Sequence, residues 1–208
     1  MDFLKLRITL FLSKLNNMKN LFLFLLIAFF ISCDDGDKIV TDFDFDEDSD
    51  LKMCKVRSNN VLYVVNTNPD EAIALNFSND NFDGTFIEDD ISQTLLIEIG
   101  GNNQLVYRTF NESLDGGTGY FCSGIPPTSP KVLQEYYSKD GGYVELVTYL
   151  IDQEVDEAEN TVTRVFETYA TAHDITLKNI AKEEEIVEET LNMGFMTKTE
   201  TYDLEDLQ

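Results

Sequence analysis

The sequence predicts an all-β protein, and three observations support this fold class. Short segments rich in Val, Ile, Thr, Tyr and Phe alternate apolar with polar side chains, which is the pattern of half-buried strands. Clusters of Gly, Pro, Asn and Asp separate these segments. The 170 residues from 39 to 208 are enough for one hydrophobic core. We expect a single β-sandwich of immunoglobulin-like type in residues 39–208, with a lipocalin-like meander barrel as the alternative.

The alternating pattern predicts ten strands and one ambiguous region. The ambiguous region follows residue 180: it fits either a helix over 181–192 or a strand, and apolar residues at spacing two up to Phe195 favour the strand. The polar end of the chain, from about residue 199, is expected to fray. The other predicted strands are 39–46, 61–66, 72–77, 94–99, 104–110, 120–125, 132–137, 143–151, 161–172 and 174–180.

Turn-forming residues predict where the chain reverses. Residues 100–103 are expected to form a tight hairpin turn between the strands on either side. Residues 138–142 give a second hairpin signal. Three prolines, Pro126, Pro127 and Pro130, predict a connection and not a central strand, because proline has no N–H to donate to a sheet.

A short apolar leader stands near the start of the chain. Lys19 supplies a positive charge, an unbroken run of eleven apolar residues covers 21–31, and the small Ser32 and then Cys33 follow. A charged start, a short apolar run and a small residue at its end are typical of a secretory signal peptide. The run is too short to span a bilayer as a helix, which takes about 20 apolar residues.

The end of this leader, Phe30-Ile31-Ser32-Cys33, resembles the lipobox of bacterial lipoproteins. The resemblance implies cleavage before Cys33 and lipid on the Cys33 thiol, and several acyl chains anchor a protein stably. The family prefers Leu where Phe30 stands and Gly or Ala where Ser32 stands. The alternatives are a plain secretory signal with a chance cysteine and an uncleaved anchor.

Acidic residues follow the cysteine directly. Asp34, Asp35 and Asp37 resemble the export tag of Bacteroidetes-type surface lipoproteins, which implies the outer face of the outer membrane. In other Gram-negative systems an Asp at this place resembles an inner-membrane retention signal, and a soluble linker is the third alternative. From Cys33 through the proline-rich middle of the chain, at Pro126–Pro130, the sequence resembles uncharacterised flavobacterial-type lipoproteins, a likeness that implies no activity.

These segments divide the chain. Met18 is the predicted initiator, so residues 1–17 are an extension upstream of the true start, or else a long charged leader. Residues 18–32 are the predicted lipoprotein signal peptide, residues 33–38 an acidic tether, and residues 39–208 one β domain.

The chain is strongly acidic, with a formal net charge of −24. Without residues 1–32, which carry four basic side chains and one acidic one, 11 basic and 38 acidic residues remain, a net charge of −27. Such a surface repels phosphate backbones, whose neutralisation drives non-specific nucleic-acid binding. We therefore do not expect a nucleic-acid partner.

The cysteine count fits an exported protein. If Cys33 carries lipid, Cys54 and Cys122 remain as a pair, and an oxidising compartment favours a disulfide between them. Two buried free thiols are the alternative.

One stretch has the spacing of a metal-binding loop. Counted from Asn79, oxygen-bearing side chains stand at positions one, three, five and twelve, with Gly84 at six. The four candidate ligands are Asn79, Asn81, Asp83 and Asp90. The spacing resembles an EF-hand calcium loop, although Asn79 replaces the usual Asp and Asp90 the usual bidentate Glu. A turn rich in Asn and Asp between two strands is the other interpretation.

Catalytic patterns are weak. His173 is the single histidine, and no G-x-S-x-G motif accompanies it. One His with two distant Cys makes a poor zinc site. Several tyrosines crowd one predicted hairpin; exposed, they could stack on a sugar or a partner, although Tyr also favours ordinary strand packing. They are Tyr136, Tyr137, Tyr143 and Tyr149.

We therefore expect a non-enzymatic, lipid-anchored envelope lipoprotein, held on the outer membrane and surface-exposed, that binds a protein or glycan partner. A β-barrel that carries a small apolar ligand is the first alternative. A hydrolase that uses two carboxylates is the second.

Overall fold

The computed structural model describes residues 43, 45–67, 70–78, 82–86 and 91–207. They form nine antiparallel strands in one sheet, with a short helix, α1, at Thr118–Phe121 and a 3-10 turn at Leu204–Leu207. The strands are β1 Lys52–Val56, β2 Asn59–Thr67, β3 Asp70–Phe77, β4 Ser92–Glu98, β5 Gln104–Phe110, β6 Val132–Ser138, β7 Tyr143–Asp156, β8 Thr161–Lys178 and β9 Glu185–Asp203.

The strand order is β1-β2-β3-β5-β6-β8-β7-β4, and β9 pairs with the other side of β8. Only two residue pairs join β6 to β8, namely Tyr137 with Lys178 and Ser138 with Leu177. This narrow joint divides the sheet into a first section (β1, β2, β3, β5, β6) and a second section (β4, β7, β8, β9). In the described residues the sheet is not closed, so the prediction of an all-β, sandwich-like fold is confirmed and the meander barrel is not formed.

The alternation along β8 builds the core. Every second residue from Val162 to Ala172 is buried, and the side chains between them are half-buried. Asp174, with φ 52°, shifts this pattern by one residue, so that Ile175 and Leu177 continue the buried side. The largest fully buried side chains come from both sections and from Leu51, just before β1. Those on the strands are Tyr63, Tyr107, Tyr136, Phe77, Phe166, Leu62, Ile73, Leu75, Leu105, Leu146 and Ile175.

A long connection covers the outer face of the first section. Residues 111–131, here called the covering segment, contain α1, and Phe121 stacks on Tyr63 with ring centroids 4.8 Å apart. A disulfide links Cys122 to Cys54 on β1 with a Cα–Cα distance of 5.7 Å, which confirms the predicted pair. The prediction of a strand over 120–125 was wrong. The aromatic side chains that suggested a strand, Tyr120 and Phe121, instead pack against the face of the sheet.

Two predicted hairpins turn as expected but do not pair their flanking strands. Gly100 and Asn103 exchange two backbone hydrogen bonds of 3.0 Å each. However, β4 pairs with β7, while β5 pairs with β3 and β6. The turn at residues 139–142 likewise leads from β6 to β7, which both pair with β8. Both turns carry the chain from one section of the sheet to the other.

The remaining strand predictions agree with the structure in part. The strand preferred over a helix after residue 180 is confirmed as β9, which runs to Asp203 and then enters the 3-10 turn instead of fraying near residue 199. The strands predicted at 161–172 and 174–180 are one strand, β8. β1 was not predicted, because its sequence KMCKV does not alternate clearly. Most of the strand predicted at 39–46 lies outside the described residues, and Phe43 and Phe45 lie outside any strand.

Candidate functional site

An open groove of about 520 Å³ lies on the outer face of the second section. Its walls are mostly apolar and aromatic, with one carboxylate. Ile91, just before β4, is 80% exposed, and Tyr149 on β7 is 43% exposed. The lining residues are Ile91, Tyr149, Leu150, Ile151, Glu167 and Tyr169.

A bulge in β7 shapes this groove. Leu150 stands opposite Phe166, whereas Asp152 already stands opposite Val165, so Ile151 is an extra residue in β7. An extra residue bends its strand and redirects the neighbouring side chains. At the same point the Leu150 N–H donates to the carbonyl of Ile91 at 3.2 Å, which fixes the start of β4 against the bulge.

Three aromatic rings form one wall and its support. Tyr149 and Tyr169 meet edge to face, with centroids 6.0 Å apart. Tyr169 stacks on Phe195 of β9 at 5.4 Å, directly across the strand pair. Such pairs add about 0.5–1.5 kcal/mol beyond their buried area. The rings are therefore held in place before any ligand arrives.

The carboxylate of Glu167 stands opposite Tyr149 on the same face of the sheet. The Tyr169 hydroxyl donates to Glu167 Oε2 at 3.0 Å. This hydrogen bond raises the pKa of the Tyr169 phenol, with burial and the charges of Glu167 and Glu47 adding to the effect. The groove is therefore a negatively charged site.

Further carboxylates extend from the groove along the same face. Asp152 stands opposite Val165 and Glu154 opposite Thr163, and opposed residues of an antiparallel pair share a face. Because β8 alternates without interruption here, this is also the face of Glu167. Both side chains are exposed. We call Glu167, Asp152 and Glu154 the acidic track.

Of the calcium candidates, only Asp83 lies in the described residues; Asn79, Asn81 and Asp90 lie outside them. Asp83 Oδ1 accepts hydrogen bonds from the backbone N–H and the hydroxyl of Thr85, at 3.0 and 2.7 Å. Lys198 Nζ lies 3.7 Å from Asp83 Oδ2. In the part of the chain that the structure describes, no three His, Cys, Asp or Glu side chains are grouped as a metal site. Calcium in this loop stays a prediction.

The remaining predicted residues are dispersed. Cys33 lies outside the described residues. His173 stacks on Tyr143 at 4.8 Å, and its Nε2 lies 3.6 Å from Glu145 Oε2. Tyr136 is buried, and its hydroxyl donates to Glu184 at 3.0 Å. Of the four clustered tyrosines, Tyr149 is the one that lines the groove. Within the described ranges, no helix is both long and apolar enough to cross a membrane.

Sequence reasoning named Tyr149 but missed the rest of the groove. Ile91, Glu167 and Tyr169 are far apart in the chain, and their meeting depends on the pairing of β4, β7 and β8. Exposed tyrosine was the single usable signal. Comparisons with protein-family models, with curated proteins and with solved structures found no match to this chain. Function is therefore inferred from the leader, the disulfide and the groove.

Proposed function

We propose that this protein is a non-enzymatic lipoprotein of the bacterial cell envelope, whose β domain stands on the outer surface and binds a partner. The observation that carries the proposal is the disulfide between Cys54 and Cys122. Structural disulfides persist in oxidising compartments and are rare in the cytosol. The disulfide therefore supports the signal-peptide interpretation of residues 18–32 and leaves Cys33 as the thiol available for lipid.

The leader supplies the anchor. Lipid on Cys33 would hold the chain at the outer membrane, because more than one acyl chain makes attachment stable. The acidic residues that follow would route it to the outer face and then serve as a tether to the domain. The charge of the mature chain, −27, would keep the domain soluble beside the membrane.

The groove supports a binding role. It combines the exposed ring of Tyr149 with the carboxylate of Glu167 on the face of a sheet, which is an arrangement suited to recognition. The carrier alternative requires a closed meander around an apolar cavity, and the described sheet is open. No observation on the described residues favours the hydrolase alternative.

Protease shaving of intact cells tests the location. Cells that produce the full chain are treated with protease before and after the outer membrane is opened, with a periplasmic protein as control, and the β domain is detected by blotting. We expect loss of the domain from intact cells. Protection until the membrane is opened would contradict surface exposure and place the domain in the periplasm. A Cys33→Ala variant, which has no thiol to lipidate, should disappear from the membrane fraction.

A further inference from the structure

We propose that the groove and the acidic track together bind an extended, basic segment of a partner polypeptide with Lys or Arg at alternate positions. The proposal rests on the proposed function, because it names the partner of the binding domain. Three properties of the described residues lead to it: the charge of the site, the placement of its rings and the spacing of its carboxylates.

Charge complementarity selects a cation. Of the described residues that line the groove, one is acidic and none is basic. Asp152 and Glu154 add two exposed carboxylates on the same face, within a chain of net charge −24. Such a surface repels acidic partners and attracts basic ones, increasing the rate of their encounter.

The aromatic wall suits the same ligand. A guanidinium or ammonium group over a Tyr face is attracted by the ring, and Arg also stacks on it. Tyr149 offers an exposed ring, while Tyr169 behind it is held by Phe195 and Glu167. One basic side chain can therefore rest on Tyr149 with its charge toward Glu167. Ile91 and Ile151 are exposed and can contact its methylene groups.

The spacing selects an extended peptide. Asp152 and Glu154 are two residues apart on one strand, a separation of about 6.6–6.8 Å. A peptide in β conformation presents alternate side chains on one face at the same repeat. Its basic residues can therefore meet successive carboxylates without distortion. A helical basic peptide, whose side chains repeat at three and four positions, does not match this spacing.

Fluorescence anisotropy with the full chain, purified in detergent, tests the proposal. The probe is a labelled peptide of sequence KTKTKTK. Its matched control, KKKKTTT, has the same composition and charge without the alternation, and ETETETE reverses the charge. We expect KTKTKTK to bind more tightly than KKKKTTT, ETETETE not to bind, and added salt to weaken binding because the contacts are exposed.

Matched variants locate the site. Asp152→Asn with Glu154→Gln removes two charges from the acidic track and should weaken KTKTKTK binding about three-fold or more. Glu157→Gln with Glu159→Gln removes two charges from the neighbouring turn and should leave binding unchanged. That turn is held by Asp156 Oδ1, which accepts from the N–H groups of Ala158 and Glu159 and is not altered.

A third variant tests the groove. Tyr149→Ala removes an exposed ring and should weaken binding by about three-fold or more. Circular dichroism checks that each variant keeps its fold. A neutral oligosaccharide is the competing occupant, and its binding to the parent chain and to each variant is measured by titration calorimetry.

Several results would overturn the proposal. Equal loss in the track variant and the turn variant would mean attraction by net charge alone. Equal affinity for both basic peptides would reject the strand-like spacing, and no binding would reject the site. Oligosaccharide binding that Tyr149→Ala removes and the track variant leaves intact would make the occupant a glycan. All these results come from purified protein, so they are independent of the shaving experiment on location.

Discussion

The pair Tyr107 and Glu71 shows how single residues make this core specific. Both side chains are buried, and the Tyr107 hydroxyl donates to Glu71 Oε2 at 2.5 Å. Around Tyr107 pack the rings of Tyr136, Phe43 and Phe45, with centroids 5.9, 4.9 and 6.4 Å away. A polar contact inside such an apolar setting stabilises only one arrangement of the strands that carry it.

Replacing Tyr107 by Phe should lower the free energy of unfolding by about 1–3 kcal/mol, because the buried Glu71 carboxylate loses this donor. Tyr202→Phe, near the end of β9 and half-buried, is the matched control and should change it by less than about 0.5 kcal/mol. Urea unfolding followed by circular dichroism measures both. Equal stability of the Tyr107 variant and the parent would show that the hydrogen bond contributes nothing net.

The pKa of Tyr107 predicts a dependence on alkaline pH. Burial first, and then the hydrogen bond and charge of Glu71, raise this pKa well above its ordinary value. A group whose folded-state pKa is raised stabilises the fold fully below its unfolded pKa, which for Tyr is about 10. That stabilisation is lost as the pH rises above this value.

We therefore expect the urea midpoint to hold from about pH 8 to about pH 9.5 and to fall above about pH 10, where unfolded tyrosine ionises. Tyr107→Phe should have a shallower fall, since its residue 107 cannot ionise. An equally steep fall in parent and variant would assign the effect to other groups.

At the scale of the elements, β9 depends on one glycine. Gly194, with φ 98°, sits beside a second irregularity of the sheet, where Ala170 pairs with Gly194 but Thr171 with Asn192. Directly beyond it, the Phe195 N–H donates to the carbonyl of Ser49 at 3.0 Å, and the Leu51 N–H donates to the carbonyl of Phe195 at 2.9 Å. A Cβ on Gly194 would overlap the backbone of Ser49.

Backbone strain alone costs about 1–3 kcal/mol. Gly194→Ala should destabilise the protein by more than this, because the added Cβ also overlaps Ser49. Gly101→Ala is the matched control: its φ is 61°, and no atom lies within 4 Å of the added Cβ. It should cost about 1–2 kcal/mol. Thermal unfolding of both variants gives the comparison, and an equal loss in the two would exclude a clash with Ser49.

The covering segment is a second element that depends on distant contacts. It is linked to β1 by the disulfide, which spans 68 residues of sequence. The Tyr63 hydroxyl also shares a hydrogen bond of 3.0 Å with the hydroxyl of Thr118. The segment otherwise consists of turns and one four-residue helix, too short to be stable alone.

Removing the disulfide with Cys54→Ala and Cys122→Ala should cost about 4 kcal/mol in the chain-entropy description of a loop of this length. Hydrogen exchange should show amides of residues 111–131 losing protection before those of β2 and β3. Unchanged stability, or uniform loss of protection over the sheet, would contradict this local role.

At the scale of the whole molecule, the main feature is a large net negative charge. The chain carries 39 acidic and 15 basic residues. Several of the described ion pairs are exposed, such as Lys139 with Glu185 at 2.8 Å, and pairs of this kind contribute little. Net repulsion between the remaining carboxylates opposes the compact state.

Salt should therefore stabilise this protein. Raising ionic strength from about 0.01 M to about 0.5 M shortens the range of repulsion from about 30 Å to a few ångströms, so the urea midpoint should rise. Calcium and magnesium chloride at equal ionic strength separate screening from specific binding. Equal effects would mean screening, whereas an additional gain with calcium would support the loop from Asn79 to Asp90. A fall in the midpoint with salt would contradict net repulsion.

Local patterns in the chain were sufficient for the fold class and most strands. Alternation at spacing two and the turn residues at 100–103 and 138–142 act over a few neighbours, so they are visible in the sequence. The prediction that Cys54 pairs with Cys122 needed only the count of thiols and the leader. The interpretation of residues 18–38 as a lipoprotein signal peptide and an acidic tether likewise depends on local features alone, and it remains a proposal.

Strand partners and the groove depended on the tertiary structure. Whether β4 pairs with β5 or with β7 is decided by which faces become buried together, and this involves residues about 50 positions apart, such as Leu96 and Glu145. The bulge at Ile151 exists only relative to β8, and the acidic track exists only because the bulge sets which residues face outward. Alternation shows that a strand has two faces, but long-range packing decides which neighbour each edge receives.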